Sequence, residues 1–173
     1  VDLIEEITLE NESFWKVKTT ENKEFVSKNI FIAAGAGSFE PRRPPNIEDP
    51  DKYLGKGVEY AVRSVDKYKN KNVVIFGGGD SALDWTVELS KVAKLVTLVH
   101  RRDAFRGAQH TEEQMRALVE KGKVNLLTPY LINSIEGDDI VESITLKNFE
   151  SNEIEDYEAD ELLFLFGLNK KLG

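Results

Sequence analysis

The sequence of 173 residues is long enough for one domain with a substantial core, and its 40% apolar and 31% charged residues are ordinary for a soluble globular protein. Its formal net charge of −8 and the lack of any apolar run near the roughly 20 residues of a membrane span argue against nucleic acid and membranes as partners. The chain has no cysteine, which excludes disulfides, thiolate metal sites and cysteine nucleophiles and is compatible with a cytoplasmic setting.

The beginning of the chain predicts an antiparallel meander followed by a linker. Strands are expected at 3–9, 13–19 and 25–26, with turn-forming residues between them. The continuous apolar run 29–34, which ends at Gly35-Ala36-Gly37, predicts a strand buried on both faces, as in a parallel sheet. Four of the five prolines fall within 38–57, so this segment is expected to be a linker without regular structure.

From Val73 onward, strands and helices alternate, which is typical of a parallel sheet with right-handed crossovers. Apolar positions at helical spacing predict one helix through Ala82 and Val92 and a second over 111–121, with Gly122 as its C-cap. Strands are expected at 73–76, 95–99, 124–127, 131–135, 140–149 and 162–166. The alternation therefore predicts an α/β fold class, a Rossmann-like parallel sheet together with an antiparallel meander.

A glycine turn joins the first of these strands to the first helix. Residues 77–82, Gly-Gly-Gly-Asp-Ser-Ala, fit the pattern G-x-G-x-x-[GA], which holds a dinucleotide pyrophosphate at a helix N-terminus. Gly77 would permit the tight turn, Gly79 would let the backbone approach the pyrophosphate, and Ala82 would let the helix pack closely. A tight turn without a ligand is the competing interpretation.

Two polar residues of this motif have competing roles. Asp80 and Ser81 could both cap the helix, and the Ser81 hydroxyl could also donate to a phosphate. An ionised Asp80 would repel phosphate, so we expect it to cap or to approach the nicotinamide amide or ribose.

A basic cluster follows the second strand, where NAD-selective folds carry an acidic residue for the ribose hydroxyl. His100, Arg101 and Arg102 stand at the strand end and Arg106 follows shortly after, with Asp103 as a local counter-charge. Paired guanidinium donors suit a 2′-phosphate, so the cluster predicts preference for NADPH over NADH. A solvated basic loop is the alternative, and for His100 alone a packed histidine at a strand end.

The histidine content does not suggest a metal site. His100 and His110 are the only histidines, and without cysteines they leave too few soft ligands for a His-based site.

Taken together, these motifs resemble the pyridine-nucleotide-disulfide reductase superfamily, and within it the thioredoxin-reductase-like flavoproteins. The similar segments are Gly57-Val58-Glu59-Tyr60, the strand and glycine turn at 73–82, and the run from His100 to Arg106. Ile32-Ala33-Ala34-Gly35 and Leu163-Phe164-Leu165-Phe166-Gly167 resemble segments that flank the NADPH domain near FAD. The similarity covers nearly the whole chain.

The chain departs from thioredoxin reductases where they carry Tyr-Cys-x-x-Cys. Here the segment is Tyr60-Ala61-Val62-Arg63-Ser64, so dithiol exchange is excluded. The branch without those cysteines is the thioredoxin-reductase-like ferredoxin–NADP reductases, which the run Gly-Gly-Gly-Asp-Ser-Ala-Leu-Asp-Trp at 77–85 also resembles. This resemblance implies NADPH and FAD as cofactors and ferredoxin or a similar one-electron carrier as partner. It implies no catalytic acid or base, because hydride passes directly between the cofactors.

We expect the chain to be a fragment. Met115 is its only methionine, and its only complete glycine fingerprint is at 77–82, so most of the FAD site is expected to be missing. The expected division is 1–46 as a partial FAD-domain meander and strand, 47–166 as the NADPH-binding domain, and 167–173 as the return towards the FAD domain. The chain alone should bind NADPH without catalysing turnover.

Two other functions stay open. One is a thioredoxin-reductase-like flavoprotein with a different electron acceptor, and the other is a non-catalytic NADP(H)-binding module. Members of the superfamily commonly dimerise, so a homodimer is also open.

Overall fold

A computed structural model describes residues 3–10, 13–33 and 40–169. The chain divides into two compact units, Val1–Gly37 with Leu172–Gly173, and Ser38–Lys171. Each unit has its own sheet structure and is described separately.

The smaller unit contains a three-stranded antiparallel sheet. Its strands are β1 (Ile4–Glu10), β2 (Phe14–Thr19) and β3 (Glu24–Ser27), in the order β1-β2-β3. Asn22, in the turn between β2 and β3, has a φ of 58°, a left-handed conformation that asparagine adopts more readily than most residues. The predicted meander is confirmed.

The buried strand predicted after this meander is wrong for the residues that the structure describes. Residues 29–33 form no strand, and the side chains of Phe31 and Ile32 are 93% and 81% exposed. A strand buried on both faces needs partner strands and covering layers, and no described strand pairs with this run. Ala34 and the glycines at 35 and 37 lie outside the described residues.

The larger unit alternates strands and helices and contains two short 3₁₀ turns, Pro50–Tyr53 and Val65–Tyr68. Its elements in chain order are β4 (Glu40–Pro41), β5 (Val58–Glu59), β6 (Asn72–Phe76), α1 (Asp80–Leu89), β7 (Leu95–Val99), α2 (Gln109–Glu120), β8 (Val124–Leu127), β9 (Tyr130–Glu136), β10 (Ser143–Asn148), β11 (Ile154–Glu158), β12 (Glu161–Phe164) and β13 (Leu168–Asn169).

A five-stranded parallel sheet in the order β5-β12-β6-β7-β8 forms the centre of this unit. Ile75 of β6 pairs with Leu163 on one side and with Leu98 on the other. The chain therefore runs outward from β6 through β7 to β8, and returns to place β12 on the opposite side of β6. Such a reversal of strand order opens a crevice at the carboxyl ends of the strands.

Both faces of the parallel sheet are covered. Val73 and Ile75 pack with Leu83, Leu89 and other residues of a core on the helical side. Val74 and Phe76 pack into a second core on the other face, whose members include Ile132, Ile144 and Leu146 of the antiparallel sheet β11-β10-β9. This alternation explains the uninterrupted apolar sequence of β6, because each successive side chain enters a different core.

The element boundaries differ from the predictions mainly at the ends. Helix α1 ends at Leu89 instead of Val92, and α2 begins at Gln109 instead of Thr111. Gly122 follows α2 with a φ of 66°, the left-handed conformation expected of a C-terminal glycine. Strand β11 was not predicted, because its sequence Ile-Glu-Asp-Tyr-Glu contains few apolar residues. It is an edge strand of its sheet and is largely exposed.

Neither described helix combines the length and the apolar composition that crossing a membrane requires.

A buried carboxylate lies at the amino-terminal end of β12 in the parallel sheet. Glu161, the first residue of β12, is only 3% exposed. Its two carboxylate oxygens lie 3.0 Å from Lys67 Nζ and 2.7 Å from Lys71 Nζ, while Lys67 Nζ also lies 2.6 Å from Glu59 Oε1. Partial burial tends to lower the pKa of Lys67, but the interactions with Glu59 and Glu161 outweigh it and raise this pKa above 10.5.

We expect Glu161→Gln to lower the free energy of unfolding by about 1–3 kcal/mol at neutral pH, because two partly buried lysines lose a charged partner. Since the pKa of Lys67 is raised in the folded state, its contribution is complete below pH 10.5 and disappears as the pH rises through the raised value. The stability difference between the two proteins should therefore narrow at strongly alkaline pH, as measured by urea denaturation.

The matched control is Glu88→Gln, which removes the exposed ion pair with Lys91 and should change stability by less than about 1 kcal/mol. Equal effects at Glu88 and Glu161 would contradict the stabilising role of the buried carboxylate.

Candidate functional site

A cleft of about 680 Å³ lies at the carboxyl ends of β6, β7 and β12. Its lining includes the glycine turn 77–79, the basic segment 100–102 with Arg106, and the segment 165–167. The structure thus brings every predicted site residue to one cleft: Gly77, Gly79, Asp80, Ser81, His100, Arg101, Arg102 and Arg106.

The first glycine of the turn is held against two neighbours. The Gly77 N–H donates to Val99 O at 3.1 Å. A Cβ atom at Gly77 would lie 2.7 Å from Leu165 O and 2.8 Å from Ala82 Cβ, closer than real Cβ contacts. Position 77 therefore has no room for a side chain, because it is packed between the start of α1 and the segment that follows β12.

The third glycine faces open space. A Cβ atom at Gly79 would have no atom within 4 Å. The backbone N–H groups of Gly78, Gly79, Asp80 and Ser81 donate no hydrogen bond to any residue that the structure describes. Free donors at the first turn of a ten-residue helix, beside empty space, fit an anion such as a pyrophosphate.

Asp80 does not cap its helix, so that expectation is wrong. Gly79 occupies the N-cap position of α1 and no side chain makes a capping hydrogen bond. Asp80 Oδ1 instead accepts a hydrogen bond from Ala108 N at 2.7 Å. The carboxylate thus ties α1 to the loop before α2, and its predicted contact with a cofactor stays a prediction.

Sequence reasoning missed the function of the middle glycine. The His100 imidazole lies so close over Gly78 that a Cβ atom there would overlap the ring. The Gly78 carbonyl also accepts a hydrogen bond from Arg106 N at 2.7 Å. Gly78 therefore lets the basic loop 100–108 fold against the glycine turn. The only sequence signal was a third glycine that the fingerprint does not require.

His100 is a packed side chain. Its ring stacks on Phe105 with 5.2 Å between the ring centroids. Burial lowers the pKa of His100; a hydrogen bond with the Ala104 backbone opposes this, and Arg101, Arg102 and Arg106 lower the pKa further. The lowered pKa favours the uncharged imidazole, and the stacking on Phe105 agrees with a packing role.

The three arginines keep their charge available for a ligand. The side chains of Arg101, Arg102 and Arg106 are exposed, and none of them forms an ion pair or a hydrogen bond within 3–10, 13–33 and 40–169. Asp103 does not pair with them, so the expectation of a local counter-charge is wrong. These three guanidinium groups, unpaired among the described residues, concentrate positive charge at the cleft of a chain whose net charge is −8.

The sequence matches the pyridine nucleotide-disulphide oxidoreductase family over residues 4–172. Among curated relatives, the ferredoxin–NADP reductase of Bradyrhizobium sp. (strain BTAi1) is 44% identical over 172 residues, which is 99% of this chain and 50% of the relative. That of Rickettsia akari is 43% identical over 163 residues, or 92% of this chain and 48% of the relative. The chain thus spans about half the length of the curated relatives it matches.

Solved structures agree with the fold. The thioredoxin reductase of Lactococcus lactis superposes with a TM-score of 0.77 at 27% identity, covering 96% of this chain and 53% of that one. The thioredoxin reductase of T. acidophilum gives a TM-score of 0.78 at 19% identity, covering 96% and 52%, and supports the fold alone. The resemblance inferred from the motifs and the α/β fold class are both confirmed. With a family match over nearly its whole length, the chain belongs to the pyridine nucleotide-disulphide oxidoreductases.

Proposed function

We propose that this chain is the NADPH-binding part of a flavin-dependent ferredoxin–NADP reductase. The observation that carries the proposal is the pairing of an open glycine turn with three unpaired arginines in one cleft. The names of the curated relatives support the reaction class. In this proposal 47–166 form the NADPH-binding domain, and 1–46 and 167–173 belong with an FAD-binding part.

The proposed roles follow the geometry of the cleft. The free N–H groups of residues 78–81, together with the Ser81 hydroxyl, would donate to the pyrophosphate. Arg101, Arg102 and Arg106 would hold the 2′-phosphate, while His100 keeps their loop against the glycine turn. Asp80 would position the same loop through Ala108. NADPH, when bound, supplies the hydride, and the residues of this chain bind and orient it.

Residues 77–82 are the only complete glycine fingerprint in the sequence, and the proposal uses it for NADPH. We therefore expect the purified 173-residue chain to be colourless and inactive as a reductase. A stoichiometric yellow complex with flavin absorption would contradict this part of the proposal.

The lack of cysteine in this chain favours ferredoxin over a dithiol protein such as thioredoxin as the electron acceptor. Tyr60-Ala61-Val62-Arg63-Ser64 occupies the place of the redox-active pair in thioredoxin reductases. The electron acceptor is tested by assaying the full-length protein for NADPH-dependent reduction of ferredoxin and, separately, of thioredoxin. Reduction of thioredoxin alone would overturn the assignment.

The nucleotide specificity is tested by calorimetric titration of the chain with NADPH and with NADH. We expect NADPH to bind roughly ten- to a thousandfold more tightly, since charge-assisted hydrogen bonds contribute about 1.5–3 kcal/mol each before solvent exposure is discounted. Equal affinities would show that the arginines do not hold a 2′-phosphate. Failure to bind either nucleotide would overturn the proposed function.

A further inference from the structure

A fourth guanidinium without an ion-pair partner among the described residues borders the cleft, on the side opposite the basic loop. Arg42 directly follows β4, and its N–H donates to Gly167 O at 3.1 Å. Strand β4 pairs with β13 through Pro41 and Leu168, which fixes the Arg42 backbone beside the chain that leaves β12. The Arg42 side chain is exposed and lines the cleft.

The neighbouring arginine is already neutralised. Two nitrogens of the Arg43 guanidinium lie 2.7 and 2.8 Å from Asp51 Oδ2. The Tyr60 hydroxyl donates to the other oxygen of Asp51 at 2.7 Å, and the Arg43 guanidinium lies 5.7 Å from the centre of the Tyr60 ring. Arg42, by contrast, has no ion-pair partner in the part of the chain that the structure describes. Of the two adjacent arginines, Arg42 is therefore the one whose charge is available to a ligand.

The strand order places Arg101 and Arg102 on one side of the glycine turn and Arg42 on the other, so they would face different halves of a dinucleotide. Arg101 and Arg102 follow β7, on one side of β6, whereas Gly167 follows β12, on the other side. Arg42 lies beside Gly167 through its backbone hydrogen bond. The glycine turn at the end of β6 lies between them. A dinucleotide lies across such a crevice with its pyrophosphate at the turn. When the adenosine half lies at β7, the nicotinamide half must extend towards β12.

We propose that Arg42 holds the nicotinamide half of the coenzyme by donating charge-assisted hydrogen bonds to the phosphate next to the nicotinamide ribose. This inference rests on the proposed NADPH-binding function and adds a positioning residue to it. The nicotinamide half is identical in NADPH and NADH and is absent from 2′,5′-ADP, which carries only the adenosine half with its two phosphates. Arg42 should therefore contribute affinity without contributing coenzyme selectivity.

The test is calorimetric titration of Arg42→Ala with NADPH, NADH and 2′,5′-ADP. We expect both dinucleotides to bind about tenfold more weakly than to the unchanged chain, and 2′,5′-ADP to bind equally well. The matched control is Arg63→Ala, which removes the same charge from an exposed position outside the cleft lining and should leave all three affinities unchanged. Thermal unfolding of both variants checks that each remains folded.

The outcomes separate this inference from the proposed function. If Arg42→Ala binds all three nucleotides like Arg63→Ala, the inference is overturned while the NADPH preference of the unchanged chain still supports the proposed function. Weaker binding of 2′,5′-ADP, or a loss confined to NADPH, would place Arg42 at the adenosine half and also overturn it. If the unchanged chain binds neither dinucleotide, the proposed function itself fails.

Discussion

The double variant Arg101→Ala, Arg102→Ala should bind NADPH roughly ten- to a thousandfold more weakly than the unchanged chain, while its affinity for NADH stays nearly the same. The two nucleotides differ only in the 2′-phosphate, and both arginines stand at the end of β7, where the ribose is expected. Because neither side chain has an ion-pair partner among the described residues, the substitutions break no internal contact of theirs.

Calorimetric titration with both nucleotides measures this difference, and Arg63→Ala again controls for the loss of a distant positive charge. Raising the salt concentration should reduce the NADPH preference of the unchanged chain, because the exposed guanidinium groups are screened. A similar loss of affinity for NADPH and NADH would contradict the assignment of these arginines to the 2′-phosphate. Unfolding measurements would then show whether the double variant had lost its structure.

Two glycines of the same turn should respond to alanine in different ways. Gly77→Ala should destabilise the protein by about 1–3 kcal/mol or more, because the added Cβ would press against the Leu165 carbonyl and Ala82. In Gly79→Ala the methyl group meets no protein atom. Alanine is a poorer N-cap than glycine, but it also restricts the unfolded chain, so stability should change by less than about 1 kcal/mol.

Gly79→Ala should nevertheless weaken NADPH and NADH binding equally, by about tenfold or more, because its methyl group would project into the open space at the turn where the pyrophosphate is proposed to lie. Urea denaturation and calorimetric titration of the two variants separate the structural from the binding effect. Unchanged nucleotide affinity in a folded Gly79→Ala protein would mean that the pyrophosphate does not lie at this turn.

The sequence predicted both helices and most of the longer strands of the larger unit from local patterns. Mainly apolar runs identified β6, β7 and β12, and the glycine fingerprint identified the turn into α1. These predictions succeeded because strand and helix periodicity is a property of neighbouring residues. The apolar run at 29–33 shows the limit of the same reasoning, since burial depends on partner strands that a local pattern does not contain.

Asp80 and Gly78 show a second limit. The residue type of Asp80 at a helix start suggested capping, but its carboxylate accepts a hydrogen bond from the N–H of Ala108, which is distant in sequence. Gly78 had no assigned role until the structure placed the His100 ring against it. In both cases the contacting residue, Ala108 or His100, lies in the loop after β7. A local sequence pattern does not contain such a long-range contact.

By itself, the sequence determined the alternation of strands and helices from β6 to β8, the glycine turn, and the positive charge after the second strand of that alternation, because these depend on residues close together in the chain. Only the tertiary structure decided which strands adjoin β6 and which arginines remain unpaired. Arg42 and Arg43 are identical and adjacent in sequence, yet Asp51 neutralises Arg43 and leaves Arg42 facing the cleft. Coulomb energy depends on distances in space, and the fold sets those distances.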